Sequence, residues 1–176
     1  MNAKTINTDT PSLYFKALSI LCYAMTGGIV LFGLIASALI ASGIDFSRGR
    51  YGGNSASHLP ALPFEIAAIV LAVGGILAST TLFNIRIAAA RDSGRLLEKT
   101  NAYRAAVILR YALLEAPALF SIIILLLTGK LIILIIPIIL VVLMLYFLPT
   151  KERLINELQL SSDETNIIND PDVRIE

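Results

Sequence analysis

The chain has 176 residues, of which 56% are hydrophobic and only 15% charged, with a mean hydropathy of +0.78. Soluble domains carry about 25% charged residues, so a fold wetted on all sides is excluded. The formal net charge of +1 argues against a dedicated nucleic-acid binder, and the length suits one compact domain.

The charged residues cluster between long uncharged stretches, which is how a chain segregates when hydrocarbon is its solvent. A helix needs roughly 20 mostly apolar residues to cross. The first such stretch runs from Ala17 to Ser42 and follows a short polar segment, residues 1–16. It exceeds the about 7–15 residues of a signal-peptide core and reads as a retained span. Its cysteine, Cys22, is the only one in the chain, so no intrachain disulfide forms. The second span extends from Phe64 to Ile87, opened by Pro63, the third from Ala105 to Thr128, and the fourth from Leu131 to Leu148, closed by Pro149. Only Gly129 and Lys130 separate the last two spans, which must form a tight antiparallel hairpin. The expected fold is all-α, an integral membrane four-helix bundle of two antiparallel hairpins over residues 17–149.

Lys and Arg distribution orients the spans. The N-terminus, the central loop and the C-terminus share one side and most of the basic residues, whereas the opposite side holds only Arg48, Arg50 and Lys130. Both termini are therefore expected in the cytoplasm, the pattern of a multi-pass protein of a bacterial inner membrane. The outer loop, Gly43 to Pro63, is rich in Gly, Ser and Pro; its His58 has no second His or Cys nearby and reads as an ordinary loop residue. The central segment carries Arg86, Arg91, Arg95, Lys99, Arg104 and Arg110. It is either a docking surface for a partner or anionic headgroups, or simply the mark of the cytoplasmic side. A helix break is expected at Asp92-Ser93-Gly94, with Asp92 or Ser93 capping the next helix. Residues 150–160 place Leu154, Ile155 and Leu158 at helical spacing, the pattern of an amphipathic helix on the bilayer surface. The acidic stretch 161–176 has too little apolar content to pack and is expected to be disordered.

Small residues four apart mark close helix contacts in lipid. Ala24 and Gly28, then Gly33, Ser37 and Ala41 in span one, and Ala68 and Ala72, Gly74 and Ala78, and Gly75 and Ser79 in span two make these the expected inner pair, with the Ile/Leu/Val-rich fourth span facing lipid.

Glu115 carries the most functional information. It lies in the third span in Arg110-Tyr111-Ala112-Leu113-Leu114-Glu115-Ala116-Pro117, about 6–15 Å below the cytoplasmic edge. Arg110 is long enough to snorkel to the headgroups, and the glutamate is not. A central acid costs about 2.5–3.5 kcal/mol on insertion scales, so it has a partner or a job. Burial favours the neutral form of a carboxyl, the state from which proton exchange starts. Matching depths puts Tyr23, Thr26, Ser79, Thr80, Thr81 and Tyr146 in its layer, and Tyr111 one turn before it on its own face. Pro117, and Pro137 in the fourth span, are expected to loosen their helices. Two roles stay open: a protonated glutamate satisfied by those hydroxyls as interhelical glue, or an ion-handling group.

The stretch Val107-Ile108-Leu109-Arg110-Tyr111-Ala112-Leu113-Leu114-Glu115-Ala116-Pro117-Ala118-Leu119-Phe120, within Phe64 to Thr128, resembles the proteolipid c subunit of rotary ATP synthases. That family is a helical hairpin with a basic cytoplasmic loop and a carboxylate in its second helix. The resemblance implies that Glu115 carries a proton or sodium ion. Two extra spans and a glycine content reduced to Gly74-Gly75 set this chain apart, and its whole length is more similar to small four-span bacterial membrane proteins. No cofactor motif, metal-ligand cluster or catalytic cluster appears, so no cofactor, metal or enzymatic activity is expected. The implied partners are the bilayer and a membrane protein, or a second copy. The leading expectation is a non-enzymatic accessory or assembly component of a membrane complex; the alternative is a proton- or ion-translocating subunit or small transporter using Glu115.

Overall fold

A computed structural model describes residues 10–43, 61–170 and 173. The first nine residues and most of the outer loop, His58 included, lie outside them. The described chain is helical, with no strand. Helix α1 spans Pro11–Ala41, α2 Ala61–Arg91 and α3 Leu96–Thr128; a 3₁₀ turn, Leu131–Leu134, leads into α4, Ile135–Tyr146, followed by α5, Lys151–Leu158, and α6, Ser162–Asn169. Among the described residues α1, α2 and α3 are each long and apolar enough to cross a membrane. The 3₁₀ turn and α4 together qualify only when joined to α5, from which they are bent by 80°.

Several boundaries depart from expectation. Helix α1 begins six residues earlier than the apolar run, at Pro11, because Tyr14 and Phe15 are buried and proline suits a first helical position. The break between α2 and α3 falls where Asp92-Ser93-Gly94 stand, but α3 starts at Leu96. Arg95, not Asp92 or Ser93, therefore flanks it, and the Arg95 carbonyl accepts from Glu98 and Lys99. Pro137 occupies the first turn of α4, where a missing N–H costs little, so it does not interrupt a span.

The chain divides into two compact units. The first takes residues 1–23, 81–110 and 148–176. Its α3 face buries Leu96, Thr100, Tyr103, Val107 and Arg110 at helical spacing. The Tyr14 hydroxyl donates to the Thr100 carbonyl at 2.6 Å, tying α1 to α3. Leu154 and Leu158 of α5 are buried, and Arg91 Nε donates to the Glu157 carbonyl at 2.9 Å. Leu154 and Leu158 of α5 are therefore packed on protein, whereas Ile155 is only half-buried. Thr150 caps this helix by accepting from the Arg153 N–H.

The acidic stretch also orders, at least to Asn169. Ser161 and Glu164 form a reciprocal capping box at the start of α6, and Ile168 is buried. Lys99 Nζ reaches Glu164 at 2.8 Å. Composition alone missed these two local devices, a cap that satisfies orphan N–H groups and one apolar anchor.

The second unit takes residues 24–80 and 111–147. Its most buried helix is α3, where Tyr111, Leu114, Ala118, Ser121, Ile122 and Leu125 are sealed. Over their most apolar windows, 44% of α3 is buried against 17% of α1 and 22% of α2. The inner helix is thus α3, not the expected α1–α2 pair. Ala68, Ala72, Gly75 and Ser79 do mark a contact face of α2, and its partner at Gly75 is α3. A Cβ there would stand 2.7 Å from the Leu113 carbonyl oxygen and 3.0 Å from Pro117 Cγ. Gly74 of α2 and Gly28 of α1, expected as contact positions, are exposed instead, and a Cβ at either would meet nothing within 4 Å. At the far end of the same pair, Lys130 bridges to Glu65.

Two predictions follow from this packing. Gly75→Ala drives a methyl group into backbone and should destabilise the protein by about 1–3 kcal/mol, whereas Gly74→Ala should be neutral or stabilising by about 0.5–1 kcal/mol through helix propensity. Thermal unfolding in detergent checks both; equal effects of the two would overturn the α2–α3 contact. The second prediction concerns α6. The hydrogen bond from Lys99 holds the Glu164 carboxyl below its usual range. Its contribution is therefore complete above the ordinary carboxylate range and lost as pH falls through the lowered value. The protection of Ser162–Asn169 amides from hydrogen exchange should fall at acid pH, and Lys99→Ala should reduce that pH dependence.

Candidate functional site

Glu115 belongs to the second unit, on the most buried helix, and is itself half-buried. Helical geometry, at 100° per residue, determines what lies beside it. Leu113 and Pro117 face α2 through Gly75. Tyr111 faces α4: its buried hydroxyl donates to the Met144 carbonyl at 2.6 Å. Ile122 faces α1, where a Cβ on Gly33 would meet its Cδ1 at 3.7 Å. Glu115, four residues after Tyr111 and seven before Ile122, stands on the same stripe as both, turned from α2.

The expected hydroxyl partners are otherwise engaged. Ser79 Oγ donates to the Ile76 carbonyl at 2.9 Å, and Thr80 Oγ1 donates to the carbonyls of Ile76 and Leu77 at 3.1 and 2.9 Å. Hydroxyls on a helix find their own preceding carbonyls first. Thr26 is buried in the same unit. Tyr146 is exposed and packs edge-on against Phe147 at 5.3 Å. Tyr23 and Thr81 are exposed and belong to the first unit. Among the described residues Glu115 makes no hydrogen bond and no ion pair. The hydroxyl cage that would make it glue is therefore not assembled.

Pro117 adds a second feature. It has no N–H to give the Leu113 carbonyl, yet α3 runs through it unbroken. The bare Cα of Gly75 lets that carbonyl press against α2, and Ser121 Oγ donates to the Pro117 carbonyl at 2.8 Å. The backbone is thus loosened within two residues of the carboxyl.

No family model, no curated protein and no solved structure matches this chain. The chemistry of the site has to be read from its own residues.

The expected basic surface is smaller than the sequence suggests. Arg86, Arg91 and Arg95 are exposed, and Lys99 and Arg104 are half-buried. Arg91 and Lys99 are held by the Glu157 carbonyl and the Glu164 carboxylate. Arg110 is a correction: it is 7% exposed, with its guanidinium 3.8 Å above the Phe83 ring. It does not snorkel, because an aromatic face already receives its charge.

Phe83 in turn meets Tyr103 edge-on at 6.2 Å, and the Tyr103 phenol neighbours the Glu157 side chain. Sequence reading missed this chain of contacts. Its one available signal was the Leu154/Leu158 spacing, which marks a buried face as readily as a lipid-facing one.

Replacing Tyr111 by Phe removes the α3–α4 hydrogen bond without changing shape. The expected cost is about 0.5–1.5 kcal/mol, read as a lower unfolding midpoint in detergent. Because Tyr111 sets the stripe on which Glu115 lies, Tyr111→Phe should also change the reactivity of Glu115 toward carbodiimide.

Proposed function

We propose that this is a non-enzymatic integral membrane protein that crosses the bilayer four times, both termini cytoplasmic, and handles a proton or other monovalent cation through Glu115. The spans are α1, α2, α3 and the 3₁₀–α4 segment. Their outward faces support this: Ile20, Leu31, Leu34, Leu62, Val70 and Ile132 are each more than half exposed, a surface suited to hydrocarbon and not to water. The 3₁₀–α4 segment rises only about 26 Å, slightly less than the hydrocarbon thickness. Lys130 at one end and Tyr146 at the other are the kinds of residue that accommodate such a mismatch.

The observation that carries the functional reading is a half-buried carboxyl on an apolar helix with no partner among the described residues. Uncompensated acids in hydrocarbon are expensive and default to ion pathways. The likeness of the Phe64 to Thr128 stretch to rotary proteolipid subunits suggests the same task for Glu115. A second reading, an accessory component of a membrane complex, draws support from the exposed Arg86 and Arg95. It is weakened by the burial of Leu154 and Leu158 in α5 and of Arg110.

Carbodiimides react with protonated carboxyls, so labelling of Glu115 in the purified protein should slow as pH rises. Glu115→Gln should abolish both the label and cation flux in liposomes while leaving helical content unchanged. Unlabelled wild-type protein, or equal flux with Glu115→Gln, would remove the reading.

A further inference from the structure

The second unit contains an apolar groove of about 250 Å³. Its walls are α1 from Ile29 to Ser37 and the 3₁₀–α4 segment from Leu134 to Val142, and Ile122 of α3 lines it between them. Its one polar side chain, Ser37, donates to the Gly33 carbonyl at 2.7 Å and offers a ligand little. The rim residues Leu34, Ile138 and Val142 are more than half exposed, so the groove opens outward.

Glu115 is not itself among the lining residues, but two relations of register set its backbone level with one end of the groove. It lies on the α3 stripe of Ile122, two turns away, about 10 Å along the axis. The Tyr111–Met144 hydrogen bond also sets the register of the α3–α4 hairpin. Four residues further along α3, antiparallel pairing brings Glu115 level with Leu140 and Val141, and Val141 lines the groove. Among the described residues of this unit the only other carboxyl is Glu65, which is bridged to Lys130. An open apolar groove with a single acid level with its end is complementary to a molecule with an apolar arm and a single positive charge.

We infer that the groove and Glu115 together form a binding site for a lipophilic monocation, its charge at the Glu115 carboxylate and its alkyl arm between α1 and α4. This rests on the cation-handling reading of Glu115 and gives it a substrate class. The width between two helices suits a linear arm. An apolar arm contributes transfer free energy along its length, and the carboxylate supplies selectivity against neutral and anionic analogues.

The test is calorimetric titration of the full chain in detergent with hexyltrimethylammonium, with hexanol and hexanoate as neutral and anionic controls. Wild type should bind the ammonium in preference to both controls. Glu115→Gln should weaken it by about thirtyfold or more, as expected when a desolvated charge loses its partner. Gly33→Leu, which puts bulk into the groove wall, should weaken it comparably while Glu115 still reacts with carbodiimide. Size-exclusion profile and circular dichroism establish that each variant is folded.

Equal affinity for ammonium and hexanol, or unchanged ammonium binding in Glu115→Gln, would overturn the inference and leave the groove to lipid acyl chains. Carbodiimide labelling without ammonium binding overturns this inference alone. Loss of both overturns the cation-handling reading as well.

Discussion

The second unit depends on how α3 tolerates Pro117. A proline inside a helix strands one carbonyl and crowds it with its ring, and here that carbonyl belongs to Leu113. It is accommodated because α2 presents Gly75, which has no Cβ to obstruct it. That single close approach fixes the rotation of α3. With Leu113 and Pro117 turned to α2, the stripe of Tyr111, Glu115 and Ile122 is necessarily turned toward α4 and α1. The position of the acid, its distance from the α2 hydroxyls and its register with one end of an apolar groove are all consequences of that rotation.

The first unit shows the opposite economy. Charged and aromatic groups there are matched to one another: Arg110 to Phe83, Tyr103 to Glu157, Lys99 to Glu164, Arg91 to the Glu157 carbonyl. Several basic residues of this unit are thus also packing residues. A long cation lies along an aromatic face or caps a carbonyl at little entropic cost once its stem is buried. The helices α5 and α6 add buried leucines and an isoleucine to the same unit, so the segment after Pro149 is part of the fold to Asn169.

The contrast between the units sharpens the chemistry of Glu115. Where charges have structural work in this protein, they have visible partners. Glu115 has none among the described residues, and of the hydroxyls placed near it by sequence those of Ser79 and Thr80 are bonded to carbonyls of their own helix and that of Tyr111 to the Met144 carbonyl. That lack of a partner is what supports the proposed cation-handling role.

The sequence alone determined the all-helical class, the apolar runs that become α1, α2, α3 and α4, the break near Asp92-Ser93-Gly94, and the presence of an acid, Glu115, within an apolar run. These follow from local properties, the length and continuity of apolar stretches and the rarity of acids within them, which neighbours in space cannot change. Tertiary structure decided which helix is innermost, that α5 turns its leucines to protein, that the acidic stretch closes into a capped helix, and that Arg110 is buried. It also decided which face of α3 carries Glu115. An apolar face reads the same whether lipid or protein covers it, and a small-residue stripe does not name its partner. Only the rotation set by Gly75 against Leu113 and Pro117 resolves that ambiguity.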